Sequence, residues 1–206
     1  MPSPLPGRTS WARRCAGLML VCTLPLSAAA CRSVSEPSAA PERLSRNDAQ
    51  VTLASHPVET TTKIHRVFGR LPDKRRKAVR QQVGAVVDRW WEAAYLGGTY
   101  PRSSFPDAFP GFTDGAEKLA RADKALLTNQ TLGPRIDSVT AQRRTVSLDI
   151  LATGRRARSV TAHVKLRFAT SGEKAGTTVV RGRLFLTYKR GAWRIFGYDV
   201  SKGARR

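Results

Sequence analysis

Cysteine is scarce in this chain: there are three in 206 residues, at positions 15, 22 and 31. Residues 32–206 therefore hold no thiol, which excludes an internal disulfide or a cysteine metal site there and leaves any fold to be stabilised by its core. Acid is scarce too, with 15 Asp+Glu against 36 Lys+Arg and a net charge of +21. Histidine occurs only as His56, His65 and His163. The longest apolar run, Ala16 to Leu26, is interrupted by Pro25 and falls short of the roughly 20 residues a spanning helix needs. No serine-centred elbow, glycine-rich phosphate loop or His/carboxylate metal spacing occurs. No catalytic residue, metal ligand or cofactor is therefore assigned, and the expectation is a protein that is not an enzyme.

What is present begins with Arg8, Arg13 and Arg14, followed by that apolar run and then Ser27-Ala28-Ala29-Ala30-Cys31. A basic start, a short apolar stretch and small residues before a cleavage point are the parts of an export signal. A cysteine directly after the small residues resembles the lipobox of bacterial lipoproteins. That resemblance implies cleavage before Cys31, acylation of its thiol and retention at the extracytoplasmic face of the cell membrane. Two or more acyl chains hold a protein firmly where one would not, at about 0.8 kcal/mol per buried CH₂. The alternative is a plain secretory signal cut after Ala30 without lipidation. The Arg13-Arg14 pair also invites a twin-arginine route, though its flanking residues fit that motif poorly.

Removing residues 1–30 takes away three arginines and no acid, so the remainder stays near +18. Such a charge predicts attraction to anionic surfaces. Outside the cytoplasm these are lipid headgroups, phosphate-bearing wall polymer or an envelope protein complex. Nucleic acid is not expected, because no recognition helix or stacking aromatics stand among the basic residues. The basic residues are scattered as pairs such as Arg75-Arg76, Arg143-Arg144 and Arg155-Arg156 rather than gathered in one block.

The chain divides into a signal peptide (1–30), a lipid-anchored flexible tether (31–58) and a folded domain (59–203). The tether is rich in Ser, Pro, Ala and Glu and has too little apolar surface to offset its ordering entropy. Thr60 to Phe68 is β-rich, with Ile64 and Phe68 alternating against Lys63 and His65, which predicts an edge strand or extended arm. Asp73 is a candidate N-cap. Val79, Val83, Val86, Val87, Trp90, Trp91, Ala94 and Tyr95 recur at helical spacing until Gly97-Gly98 stops the helix. Thr113 caps a second helix whose apolar residues are Leu119, Ala122, Leu126 and Leu127. Beyond Gly133-Pro134 the period changes to two. Ile136 to Ala152 forms one bent strand or a hairpin turning at Gln142-Arg143-Arg144. Val160 to Phe168, Val180 to Tyr188 and Trp193 to Val200 follow as strands joined by short turns. Helices first and a meander afterwards give an α+β fold, with the helices packed on one face of a curved antiparallel sheet.

The closing stretch GRLFLTYKRGAWRIFGYDV (182–200), together with the preceding helices, resembles the nuclear transport factor 2-like (cystatin-like) cone fold. The turn Lys189-Arg190-Gly191 followed by Trp193-Arg194-Ile195 is similar to that of exported actinobacterial members, including those associated with mammalian-cell-entry transport operons. FPGFTDGAEKLARADKALLTN (109–129) is similar to actinobacterial lipoproteins. The resemblance covers 73–202 and implies a fold, with Trp193 as a packing residue, but no activity.

The resemblance implies that an enzyme of this fold family would place an Asp–His or Tyr–Asp pair at the cone mouth. His56 falls in the tether, His65 on the arm and His163 on the polar face of its strand. Asp88 lies off the helix's apolar stripe, and Asp149 is expected to pair with an arginine at the surface. Trp90, Trp91, Tyr95, Tyr100, Phe105, Phe109 and Phe112 either line a ligand cavity in the cone or fill it as core. The expectation is a non-enzymatic, lipid-anchored accessory or binding protein of the cell envelope whose basic domain engages an anionic partner or membrane complex. The alternatives are a small-ligand binder using the cone and, behind it, a hydrolase or isomerase.

Overall fold

The computed structural model describes residues 58–204. Alternating apolar and polar residues produce five strands in the spatial order of the sequence. They are β1 (Thr61–Phe68), β2 (Val139–Thr153), β3 (Arg156–Thr170), β4 (Gly176–Lys189) and β5 (Ala192–Ala204). β2 to β5 form an antiparallel meander. The β2–β3 and β4–β5 turns have two residues each, Gly154-Arg155 and Arg190-Gly191, all with positive φ. That geometry matches the twist of the strands they join.

Four register shifts bend this sheet. An extra residue in one strand disrupts the ladder locally and kinks it. Gln142 is extra in β2, Arg158 in β3 and Phe196 in β5. The first of these resolves the Ile136–Ala152 alternatives: the chain bends at Gln142 and continues as one strand instead of turning back. The fourth shift, at His65 in β1, puts Val67 on the inner side and leaves Phe68 48% exposed. The expected Ile64/Phe68 alternation thus holds only as far as the bulge. β1 is the edge strand, and it runs parallel to β2, Thr61 facing Thr145 and Phe68 facing Leu151.

The helices cover one sheet face. α1 (Asp73–Trp91) buries Val79, Val83, Val86, Val87, Trp90 and Trp91 and continues into a π-helical turn, Glu92–Leu96, that ends at Gly97. Its N-cap is Pro72, in extended conformation, and Asp73 is the first helical residue. There its carboxylate favours the helix through the dipole and not as a cap. α2 (Asp114–Ala122) is capped by Thr113, whose hydroxyl accepts from the Ala116 amide. Its buried positions are Ala116 and Ala120, while Leu119 is 64% exposed. Small side chains at that spacing let α2 lie close to β5, where a leucine stripe would hold it off. The helix breaks at Asp123, and α3 (Lys124–Leu127) then buries Leu127. Between the layers lies one apolar core, contributed by α1, the loop 105–112 and the inner faces of β2 to β5. The architecture is α+β with helices on a curved five-stranded sheet. Cys31, the signal peptide and nearly all of the tether, including His56, lie outside the described residues.

Candidate functional site

The seven aromatic candidates stand together between α1 and the sheet. Trp90 packs edge-on against Tyr95 at 5.6 Å and Phe112 at 6.2 Å, and Phe109 meets Phe112 at 5.4 Å between ring centroids. Six of the seven are at most 5% exposed, and Tyr100 is half-buried. Around Tyr95 the polar atoms are used internally. The Tyr95 hydroxyl donates to the Leu126 carbonyl at 2.9 Å, and burial pushes it well above the ordinary phenol range. The Tyr95 carbonyl accepts from the Tyr100 hydroxyl and from the buried Asn129 side chain, both at 2.8 Å. Arg102 donates to the Gly97 and Ala93 carbonyls and lies 3.7 Å over the Phe105 ring. These bonds terminate the π-helical turn and fasten the 97–112 loop to it. The rings thus contact one another and the sheet.

The titratable candidates lie elsewhere. Asp88 on α1 and Glu92 on the π-helical turn both accept from Arg144 of β2, at 3.0 and 2.6 Å. The Thr60 hydroxyl also donates to Asp88. Arg144 is only 10% exposed and sits over Trp91, so it joins helix to sheet edge. Asp149 differs from expectation. Its two carboxylate oxygens are held by imidazoles and not by an arginine, His65 Nδ1 and His163 Nε2 each at 2.9 Å. β1, β2 and β3 are adjacent, and residues 65, 149 and 163 all face away from the helices. Partial burial alone would raise the Asp149 carboxyl, but the hydrogen bonds and charges of the two histidines outweigh it and hold it below the ordinary carboxylate range. Both imidazoles are about half exposed, so this is a wet bridge across three strands and not a desolvated acid–base pair. Among the described residues no group of His, Cys, Asp and Glu is arranged to hold a metal ion.

A carboxyl lowered in the folded state contributes stability above its unfolded pKa of about 3.9 and loses it as pH falls through the folded value. Asp149→Asn is therefore expected to cost about 1 kcal/mol near neutral pH. It should also flatten the decline in stability below about pH 4. Urea unfolding of both forms from pH 3 to 7 checks this, and parallel curves would remove the role given to the bridge.

The feature that sequence reading missed is on the same uncovered sheet face. Arg143 of β2, Lys165 and Arg167 of β3 and Arg181 of β4 line a groove of about 500 Å³, floored by Val179, Ser201 and Gly203. Register brings them together: Arg143 faces Arg167, Lys165 faces Arg181, and Arg181 faces Ser201. None of the lining residues is acidic. The Arg167 Nε is buried with no protein acceptor. Lys202 touches the groove, but its ammonium turns to the other side, donating to the Ala125 and Thr128 carbonyls at α3. Burial there pushes it down to about 8. Of the acids on β2 and β5 that face this side, Asp149 is held by the two histidines and Asp199 by Arg183. The signal in the sequence was present but indirect: Lys165/Arg167 and Arg181/Arg183 are alternate residues on strands whose other face is apolar.

A second hollow, about 390 Å³, opens on the helix side between α1 and the β4–β5 turn. Ala78, Val79, Ala157 and Trp193 line it, with Arg75, Arg156 and Arg158 among its other residues. Comparison with family models, with curated proteins and with solved structures returned no match. Function must therefore be argued from the geometry, and what this geometry can do chemically is hold anions.

Proposed function

We propose that this chain is a lipid-anchored accessory or binding protein of the cell envelope, non-enzymatic, whose basic domain engages an anionic partner. The α+β layout is compatible with the nuclear transport factor 2-like cone that the sequence resembles. The single observation carrying the functional reading is the uncovered sheet face, where cationic side chains converge without acids. Beside it, Trp90, Tyr95, Phe109 and Phe112, four of the aromatic residues that would line a cone cavity, are linked by ring contacts. The Asp149–histidine group is a solvated bridge.

The anchor is tested by Cys31→Ala. The wild-type chain is expected in the membrane fraction and the variant in the soluble extracytoplasmic fraction. Equal partitioning of the two would defeat the lipoprotein reading. A second reading, binding of a small acidic amphiphile, is favoured by the apolar hollow edged with Arg75, Arg156 and Arg158. Saturable protection of Trp193 fluorescence by a short-chain fatty acid, unaffected by changes to the basic groove, would select it.

A further inference from the structure

The outer sheet face has two ends of different chemistry. At one end is the basic groove of Arg143, Lys165, Arg167 and Arg181. At the other, Phe196, Leu151 and Phe68 are 51%, 50% and 48% exposed. Phe185 packs beside Phe196, 6.4 Å between ring centroids, while Phe68 and Leu151 face each other on β1 and β2 toward the opposite edge. Arg181 and Phe185 are four residues apart on β4, about 13 Å along the strand. Among the described residues no helix covers this face, because α1, α2 and α3 all pack on the other. Exposed apolar side chains at one end of an uncovered face, with Phe185 and Phe196 in contact, are the kind of surface that interacts.

We infer that this face docks on an anionic lipid bilayer, the groove taking headgroup phosphates while the aromatic end enters the interfacial layer. Three observations select a bilayer over other anions. First, a soluble polyanion would be satisfied by the groove alone and leaves the aromatic end without a purpose. Basic residues beside exposed aromatics are instead the composition of an interfacial surface. Second, β1 enters the domain at Thr61, which faces Thr145, two residues from Arg143. The chain arriving from Cys31 thus reaches the domain at its basic end. An anchor at Cys31 is 30 residues from that point, so the basic end is the part of the domain nearest the anchor along the chain. Third, a second copy is a poor occupant, because two-fold contact repeats the same patch on both sides and would bring basic groove to basic groove or leave it unmatched. The cationic groups are guanidinium at three of four positions, and guanidinium pairs with phosphate in bidentate fashion. Arg167, whose buried Nε lacks a protein acceptor, is the residue with most to gain from a bound phosphate.

This inference rests on the envelope location proposed above, and its test is separable from it. Residues 31–206 carrying Cys31→Ala, the processed chain, have neither an acyl anchor nor the apolar run 16–26, so vesicle binding reports the basic domain. Failure of the anchor appears in fractionation, and failure of docking appears here. The chain is expected to sediment with phosphatidylcholine vesicles containing phosphatidylglycerol and to stay in solution with phosphatidylcholine alone. Adding Arg167→Gln and Arg181→Gln should weaken binding about twentyfold, at about fivefold per basic residue near an anionic surface. Adding Phe196→Ser instead should weaken vesicle binding severalfold and leave retention on inorganic polyphosphate unchanged. All these positions are at the surface, and unchanged circular dichroism will confirm the fold. Vesicle binding that ignores Phe196→Ser, with polyphosphate bound as tightly, would assign the groove to a soluble polymer and overturn the proposal. So would binding indifferent to the two arginines, or concentration-dependent dimers that Phe196→Ser dissolves.

Discussion

Trp90→Ala is expected to lower the unfolding free energy by about 3–5 kcal/mol, the usual cost of removing a large buried ring. Trp90 is fully buried, and its neighbours Tyr95 and Phe112 belong to separate segments, the π-helical turn and the loop before α2. Neither can follow a retreating side chain. The Tyr95 hydroxyl is bonded to Leu126 and its carbonyl to Tyr100 and Asn129, while the Phe112 backbone bridges to Ile195 of β5. The cavity would stay open, placing the cost toward the upper part of that range. Against a total of about 5–15 kcal/mol, the melting temperature should fall by about 10 °C or more. Trp90→Phe provides the control. It keeps most of the packing and removes an indole N–H that has no protein acceptor, so its loss should stay below about 2 kcal/mol. Thermal and urea unfolding of both variants decide the point. Equal losses would mean that the site relaxes and that these rings are not held as described.

Gly182→Ala is the second large effect, and it acts through the backbone. Gly182 sits mid-strand in β4 at φ +151°, between Val164 and Val200. A Cβ added there would lie 2.1 Å from the Asp199 carbonyl oxygen and 2.7 Å from the Val200 Cα. Both are main-chain atoms, so no rotamer change relieves the overlap, and the conformation itself is one that side chains disfavour. β5 must move away from β4, and the contacts hanging on its far half go with it. These are the Tyr198 hydroxyl donating to Asp123 at 2.7 Å and the Lys202 ammonium on the α3 carbonyls. A loss of about 3 kcal/mol or more is expected, concentrated in residues 198–204. Hydrogen exchange should show protection lost there first, with β2 and β3 retaining theirs. An unchanged melting temperature would refute this account.

The parts of the fold that could be read in the sequence are those set by neighbours in the chain. The 3.6-residue stripe of α1 and the Thr113 cap need only a few adjacent residues, and so do the Arg190-Gly191 turn and the alternation of β3. The parts that could not be read depend on which distant residues meet. Nothing near His65 announces a bulge, yet that one residue decides that Val67 and not Phe68 turns inward. The partners of Asp149 come from 84 and 14 residues away, so a nearby arginine was the natural guess. The basic groove is the clearest case. Its residues look scattered along the chain because they are, and only the β2–β3–β4 register converts that scatter into a patch. Leu119 misled for the opposite reason: its hydrophobicity was local, while the closeness of α2 to β5 that favours Ala116 and Ala120 was not.

The parallel pairing of β1 has a consequence in time. A chain synthesised from its N-terminus releases Thr61–Phe68 early, while Thr145–Leu151, the strand segment it pairs with among the described residues, follows some 80 residues later. Antiparallel hairpins such as β2–β3 can close as soon as they emerge, but this contact must await all the helices that intervene between β1 and β2, and contacts so distant in sequence form slowly. Until then an unpaired strand edge stands free, and β1 is expected to join β2 more slowly than the β2–β3 hairpin closes.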